Sequence, residues 1–309
     1  PRLRAVNIAA LTPVVLLLLS ASAQAAEPHR SFYDLPSSNG HGAVVVDLQQ
    51  ARAHHWRDHL FATEEPQVDA AGEEIWQGEF PLAVNTRDLL HDAYFGVSVS
   101  GDPAWLTELP VDLDASGWGS VDGAVSGGTN LVAMVQQGAG FVATTWAWAP
   151  WDLPRSAMAL VLEVENTGNA TLTDLRAFSL HNLHLGEGRP GPNAETGSQN
   201  ETLVLGPLIE ERGFAGVAAL RPLSPPSTVS GWYPGAAWTN PYDAVATGDG
   251  QLTPQSGDLG PHDDSVSYLA WDLGDLAPGA TTRVGLVIAH HPDPFAVSTL
   301  AAELEAWQG

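Results

Sequence analysis

The chain contains no cysteine and no lysine among its 309 residues. The lack of cysteine excludes disulfide bonds, thiolate metal sites and a cysteine nucleophile. All 12 basic residues are arginine, and 36 acidic residues oppose them, which gives a formal net charge of −24 at pH 7. Such a surface repels phosphate backbones, so the composition predicts that the protein has no nucleic-acid partner.

Long apolar runs are also scarce, and the one near the N-terminus is short. Residues 14–19 read VVLLLL, follow Arg2 and Arg4, and precede small residues at positions 22–26. A charged start, a short apolar segment and a small-residue cleavage site are typical of a secretory signal peptide. We therefore predict a signal peptide over residues 1–26, a secreted protein, and no membrane span after cleavage.

The rest of the chain is rich in turn-forming residues, with 31 Gly and 23 Pro. Between the turns, apolar residues recur with a period of two. The clearest case is the series Met158, Leu160, Leu162 and Val164, which places four apolar side chains on one face of a strand. We predict an all-β fold: a large two-sheet antiparallel β-sandwich, of the supersandwich type, over residues 27–293 as one domain.

The last residues have helical spacing instead. Phe295, Leu300, Leu304 and Trp307 recur near one stripe of a helix, and the predicted N-cap is Ser298 or Thr299. We therefore predict a short C-terminal helix within residues 294–309, as the start of a linker helix to a further domain.

One predicted strand carries several polar side chains and leads into a glycine-bounded loop. Arg176, Asn182 and His184 share one face of this strand, His181 lies on the other face, and Glu187 follows in the loop. A few converging polar groups of this kind are suited to holding a ligand such as a sugar. The alternative is that they are satisfied locally, beneath a loop or a neighbouring domain. We predict Arg176, Asn182, His184 and Glu187 as a ligand or domain interface.

Two tryptophans, out of 11 in the chain, form a separate candidate for a ligand or domain interface. Trp146 and Trp148 are two residues apart in a predicted strand, so they share a face. They would either form a flat platform for sugar rings or fill the core of the sandwich.

The segment 112–122 matches the start of a calcium loop. Asp112, Asp114 and Ser116 stand at positions one, three and five, before a glycine at position six. Position twelve is a glycine, and Asp122 is displaced by one residue from it. Two interpretations stay open: calcium as the one candidate cofactor, held by Asp112, Asp114, Ser116 and Asp122, or a plain surface turn.

Several segments together resemble a known family, the bacterial glucoamylase-like proteins of glycoside hydrolase family fifteen. The resemblance is to the N-terminal β-sandwich domain of that family. The segments that carry it are SSNGHGAVVVD (37–47), HHWRDHLF (54–61), LEVENTGNATLTDLRAFSLHNLHLGEG (162–188), AWDLGDLAPGATTRVGLVIAHH (270–291) and EAWQG (305–309).

The resemblance implies a secreted bacterial accessory module that is not catalytic alone. In that family the acid and base carboxylates lie on a helical (α/α)₆ domain, so the resemblance assigns no catalytic residue here. It implies two partners, a C-terminal (α/α)₆ domain of the same protein and a polysaccharide. Two alternatives stay open: a free-standing extracellular carbohydrate-binding or cell-surface protein, and a mutarotase-like sugar enzyme that uses a His and a carboxylate.

Overall fold

The computed structural model of the chain describes most of the predicted domain and the C-terminal helix. The described residues are 32–36, 42–48, 50–58, 76–77, 80–81, 89–112, 114–119, 131–150, 153–183, 200–205, 208–213, 216–232, 258–262, 266–293 and 295–307. The predicted signal peptide, residues 1–26, lies outside these ranges.

The described residues form antiparallel strands, a 3₁₀ turn at Leu106–Glu108 and one α-helix. The strands are β1 Phe32–Pro36, β2 Gly42–Asp47, β3 Arg52–Asp58, β4 Trp76–Gln77, β5 Phe80–Pro81, β6 Leu90–Val99, β7 Asp102–Trp105, β8 Gly117–Gly119, β9 Leu131–Gln137, β10 Phe141–Trp148, β11 Ala157–Asn166, β12 Leu172–Leu183, β13 Asn200–Leu205, β14 Leu208–Gly213, β15 Gly216–Pro222, β16 Thr228–Trp232, β17 Asp258–His262, β18 Val266–Leu276 and β19 Thr281–His291. The helix is α1, Val297–Ala306.

The strands build two large sheets. Sheet one has the order β1-β2-β3-β6-β12-β18-β16, and β7 also pairs with β6. Sheet two has the order β17-β13-β14-β15-β19-β11-β10-β9-β8, and β4 pairs with β5 separately. The two sheets enclose one apolar core to which both contribute. The predicted all-β fold, a large two-sheet antiparallel sandwich, is confirmed.

Strand β11 shows why the sequence forms this sandwich. Met158, Leu160, Leu162 and Val164 are all buried in the core between the sheets, as their alternation predicts. The opposite face of β11 is covered at its start, where Ala159 packs under α1, and Val161 packs partly buried against Trp146. Further along, Glu163 is half-buried and Glu165 is exposed. The strand is therefore buried on both faces at one end and on one face at the other.

A tryptophan from sheet one reaches across the core to sheet two. The indole N–H of Trp56 donates to Oγ of Ser156 at 3.0 Å. The Trp56 ring also meets the ring of His290 edge to face, with centroids 6.0 Å apart. All three side chains are fully buried. This contact joins β3 to the start of β11 and the end of β19, so it fixes the sheets relative to each other.

Helix α1 lies on the outer face of sheet two, which is the face directed away from sheet one. The helix packs on a row of three alanines that crosses β11, β19 and β15. In this row Ala157 pairs with Ala289, and Ala289 pairs with Ala219. Leu300, Leu304 and Trp307 of the helix pack on these small side chains. Small residues let the helix approach the sheet closely, so its apolar stripe is buried on folding.

Two arginines hold the helix in place. Arg155 donates from Nε and Nη2 to the carboxylate of Glu303, at 3.0 and 3.2 Å. Arg221 donates from Nη1 to the backbone oxygen of Leu304 and, at 2.9 Å, to that of Trp307. The second contact satisfies carbonyl groups that the end of a helix leaves free, and it places a cation at the negative end of the helix dipole.

The contact with Arg221 also fixes the direction of the helix. Arg221 pairs with Val287 of β19, four residues before the end of that strand at His291. The end of the helix is therefore bound near Val287, so the helix runs antiparallel to β19 and back over it. The helix is about 15 Å long, which is close to the distance of about 13 Å between Val287 and His291 along the strand.

The start of the helix differs from the prediction in two ways. Phe295 exposes 89% of its surface and precedes the helix, so its assignment to the apolar stripe is wrong. The N-cap is Ala296, without a side-chain cap, so the assignment of Ser298 or Thr299 is also wrong. The predicted helix itself is confirmed. Within the described part of the chain, no helix has the length and apolar character needed to cross a membrane.

Candidate functional site

The outer face of sheet one, directed away from the core, carries an aromatic row. Ala177 and Leu183 of β12 belong to the core, so the alternate residues Phe178, Leu180 and Asn182 lie on the outer face. Leu180 pairs with Tyr94 on β6 and with Tyr268 on β18. The row Tyr94–Leu180–Tyr268 therefore crosses three neighbouring strands, and all three side chains are buried.

A glycine on this face makes room for the ring of Phe178. Phe178 pairs with Gly96 in the next row along the strands. A Cβ atom at Gly96 would lie 2.7 Å from Cζ and 2.8 Å from Cδ2 of Phe178. The Phe178 ring thus occupies the space over the glycine and is itself buried. This close approach explains why position 96 has no side chain.

This contact gives a direct test of the outer face. We expect Gly96→Ala to lower the free energy of unfolding by about 1 to 3 kcal/mol, because the added methyl group displaces the Phe178 ring. Urea denaturation measures the loss. In a Phe178→Leu background the methyl group has room, so Gly96→Ala should then have a smaller effect. An equal effect in both backgrounds would contradict this packing.

Asn182 lies one row beyond the tyrosines, near the end of β12. It is half-buried, and its Oδ1 atom is buried without a hydrogen-bond partner in the described structure. Buried polar atoms are normally paired, since an unpaired one lowers stability by about 1 to 3 kcal/mol. Oδ1 of Asn182 is therefore an acceptor that a ligand or partner hydroxyl could satisfy. His184 and Glu187, which were predicted beside it, lie outside the described residues.

At the other end of the same face, Arg176 is exposed to solvent. Its Nε lies 3.6 Å from a carboxylate oxygen of Asp174 and 3.3 Å from one of Asp272. The Arg176 side chain exposes 48% of its surface, so these ion pairs are screened and contribute little to stability. The predicted shared face of Arg176 and Asn182 is confirmed, but the rows of Phe178 and Leu180 lie between the two residues.

His181 points the other way, into the core, as its position in the strand predicts. It is fully buried, and its Nδ1 lies 3.4 Å from Oγ of Ser267. Burial lowers the pKa of His181 to about 3, because the charged imidazolium would lose its hydration. The imidazole is therefore neutral at neutral pH, and it has no route to a ligand on the outer face.

The two predicted tryptophans lie on the opposite side of the molecule. Trp146 and Trp148 share the outer face of sheet two, where both pack with Leu131 and Ala133. Their shared face is thus confirmed. Trp146 is buried and Trp148 is half-buried, so they do not form an open platform. The structure separates these tryptophans from Arg176 and Asn182 by the whole thickness of the sandwich, so the two candidate groups lie on opposite outer faces.

The predicted calcium segment forms a hydrogen-bonded turn. Oδ1 of Asp112 accepts from the backbone N–H of Asp114 at 3.1 Å and of Ala115 at 3.2 Å. Oγ of Ser116 donates to the backbone oxygen of Asp112 and accepts from the N–H of Val135. These contacts favour the surface-turn interpretation. Asp122 lies outside the described residues, and within them no cluster of three His, Cys, Asp or Glu could hold a metal.

Comparison of the fold with solved structures finds similar proteins at low sequence identity. A bacterial glucoamylase complexed with acarbose matches 92% of this chain, with a TM-score of 0.52 and 9% identity. A putative aldose 1-epimerase from Escherichia coli K12 matches 84% of this chain and 98% of its own, with a TM-score of 0.42 and 13% identity. No protein-family model and no curated protein sequence matches the chain.

The glucoamylase likeness concerns the fold, since the identity is only 9%. It agrees with the large sandwich that the sequence resemblance implies. The chain spans 36% of the length of that glucoamylase.

Proposed function

We propose that the chain is a secreted accessory β-sandwich module of a larger carbohydrate-active protein and does not hydrolyse glycosides itself. The main support is that nearly the whole chain, 92%, matches about a third of the glucoamylase chain, 36%. The charged, apolar and small-residue pattern of residues 1–26 supports secretion. In this proposal the module packs beside a helical catalytic domain of the same polypeptide.

The outer face of sheet one around Asn182 is the surface that we propose for glycan contact. It offers Oδ1 of Asn182, which has no hydrogen-bond partner among the described residues, next to a buried row of two tyrosines and a leucine that forms its apolar base. A few oriented polar groups on an apolar base are features with which proteins hold small ligands such as sugars. In this arrangement a sugar hydroxyl donates to Oδ1 of Asn182.

Isothermal titration with maltooligosaccharides tests the proposed contact. We expect Asn182→Ala to weaken binding about tenfold or more, because it removes the acceptor of a buried hydrogen bond. The matched control is Gln137→Ala on the exposed outer face of sheet two, which should leave the affinity unchanged. Equal affinity of the Asn182→Ala and native proteins would remove Asn182 from the site.

An activity assay tests the accessory role separately. We expect the purified chain to release no reducing sugar from maltotriose and to leave the mutarotation rate of freshly dissolved α-D-glucose unchanged. Hydrolysis would contradict the accessory role. A faster optical-rotation change would identify the chain as a mutarotase-like enzyme instead.

A further inference from the structure

Buried polar atoms without partners are concentrated at one end of β12. Oγ of Ser179, Nε2 of His181 and Oδ1 of Asn182 are all buried and lack hydrogen-bond partners in the described structure. Ser179 and His181 face the core, while Asn182 faces outward. Three such atoms within four residues of a central strand are unusual, since most buried polar atoms are paired, and they mark this end of β12 among the described residues.

The surroundings of His181 offer no compensation for a positive charge. In sheet one, His181 pairs with Ala93 on β6 and with Ser267 on β18, and its same-face neighbours on β12 are Ser179 and Leu183. Across the core, the inner faces of β11 and β19 carry apolar residues and one titratable side chain, His290. Among the side chains that the structure describes on these strands, no carboxylate faces His181. A proton on this imidazole would be a buried charge without a counter-ion.

We propose that His181 is an acid-sensitive switch beneath the candidate site. Protonation of its imidazole opens the end of β12 from β6 and β18, and the opening displaces Asn182, which is the next residue in the chain and lies on the other face. The opening step is independent of any glycan. Only the resulting loss of glycan binding rests on the proposed function.

The direction of the effect follows from proton linkage. The pKa of His181 is about 3 in the folded strand and returns to 6.5, its ordinary value, when the strand opens and water reaches the ring. Between these two values the open form binds more protons than the closed form, so lowering the pH favours opening. The closed form is most stable above pH 6.5, and its advantage falls continuously as the pH drops toward 3.

Hydrogen–deuterium exchange on the full chain without glycan tests the switch. We expect the opening equilibrium of residues 175–183, corrected for the intrinsic exchange rate, to rise more than tenfold between pH 7 and pH 5. The internal reference is β11, residues 157–166, which should change much less. Equal exchange of β12 at the two pH values would overturn the proposal, and so would an equal rise in β11, because the opening would then be global.

Substitutions identify the titrating group. We expect His181→Phe to abolish the pH-dependent rise in β12. If that variant does not fold, His181→Gln, which keeps a polar side chain without a titration near pH 6, provides the same comparison. Ser179→Ala is the matched control, since it changes the same face of the same strand and should retain the full pH dependence. A pH dependence that survives the loss of His181 would show that another group titrates.

Discussion

Replacement of Trp56 by alanine is expected to lower the free energy of unfolding by about 3 to 5 kcal/mol, the largest effect that we expect from a single residue in the core. Trp56 is fully buried and contacts residues of both sheets. Removing its indole leaves a cavity between the sheets and also removes the donor to Oγ of Ser156. Guanidinium denaturation followed by far-ultraviolet circular dichroism measures the loss.

Two further variants separate packing from hydrogen bonding at this position. Trp56→Phe keeps one aromatic ring and removes the smaller ring that carries the N–H donor, so we expect a smaller loss, about 1 to 2 kcal/mol. Ser156→Ala removes the acceptor and should have an effect of similar size. If Trp56→Ala lowered the free energy of unfolding no more than Trp56→Phe, the contact between the sheets would not depend on the volume of this ring.

Leu304→Ala is expected to release helix α1 from sheet two in a measurable fraction of molecules. Leu304 is fully buried against the alanine row, and truncation of a buried leucine lowers stability by about 2 to 5 kcal/mol. Because the helix is at the end of the described chain, it can detach without unfolding the sandwich. Cleavage of the helix after Glu303 and Glu305 by a glutamate-specific protease should therefore become about thirtyfold faster or more.

Phe295 provides the matched control for this prediction. It is an apolar residue of the same segment but exposes 89% of its surface, so Phe295→Ala should leave the cleavage rate nearly unchanged. Equal cleavage of the Leu304→Ala and native proteins would mean that the two arginine contacts hold the helix without its apolar stripe.

The sequence predicted the faces of individual strands well, because strand periodicity is a local property. Met158 and Leu160 lie in the core, and Arg176 and Asn182 share the outer face opposite to His181, all as the alternation indicates. Each of these assignments requires only that successive side chains point to opposite sides. The helix was likewise predicted from its spacing, although Phe295 falls outside it because the chain becomes helical only at Val297.

The grouping of residues into a site was not predictable in the same way. Trp146 and Asn182 each lie on an outer face, but alternation does not reveal which of the two sheets a strand joins. That depends on pairings between distant segments, such as β11 with β19 and β12 with β6. The aromatic row depends on such pairings as well. Tyr94 and Tyr268 lie beside Leu180 because of the register in which β6 and β18 pair with β12, and a single sequence does not reveal this register.

The course of α1 over β19 gives the molecule a distinct front and back. The helix carries the chain onto the outside of sheet two, whereas Asn182 and the tyrosines occupy the outside of sheet one. The sheets stack about 10 Å apart, so anything joined after Trp307 starts from the far side of the sandwich. A fluorophore or surface tether placed directly after Trp307 would therefore leave the Asn182 face pointing away from the point of attachment.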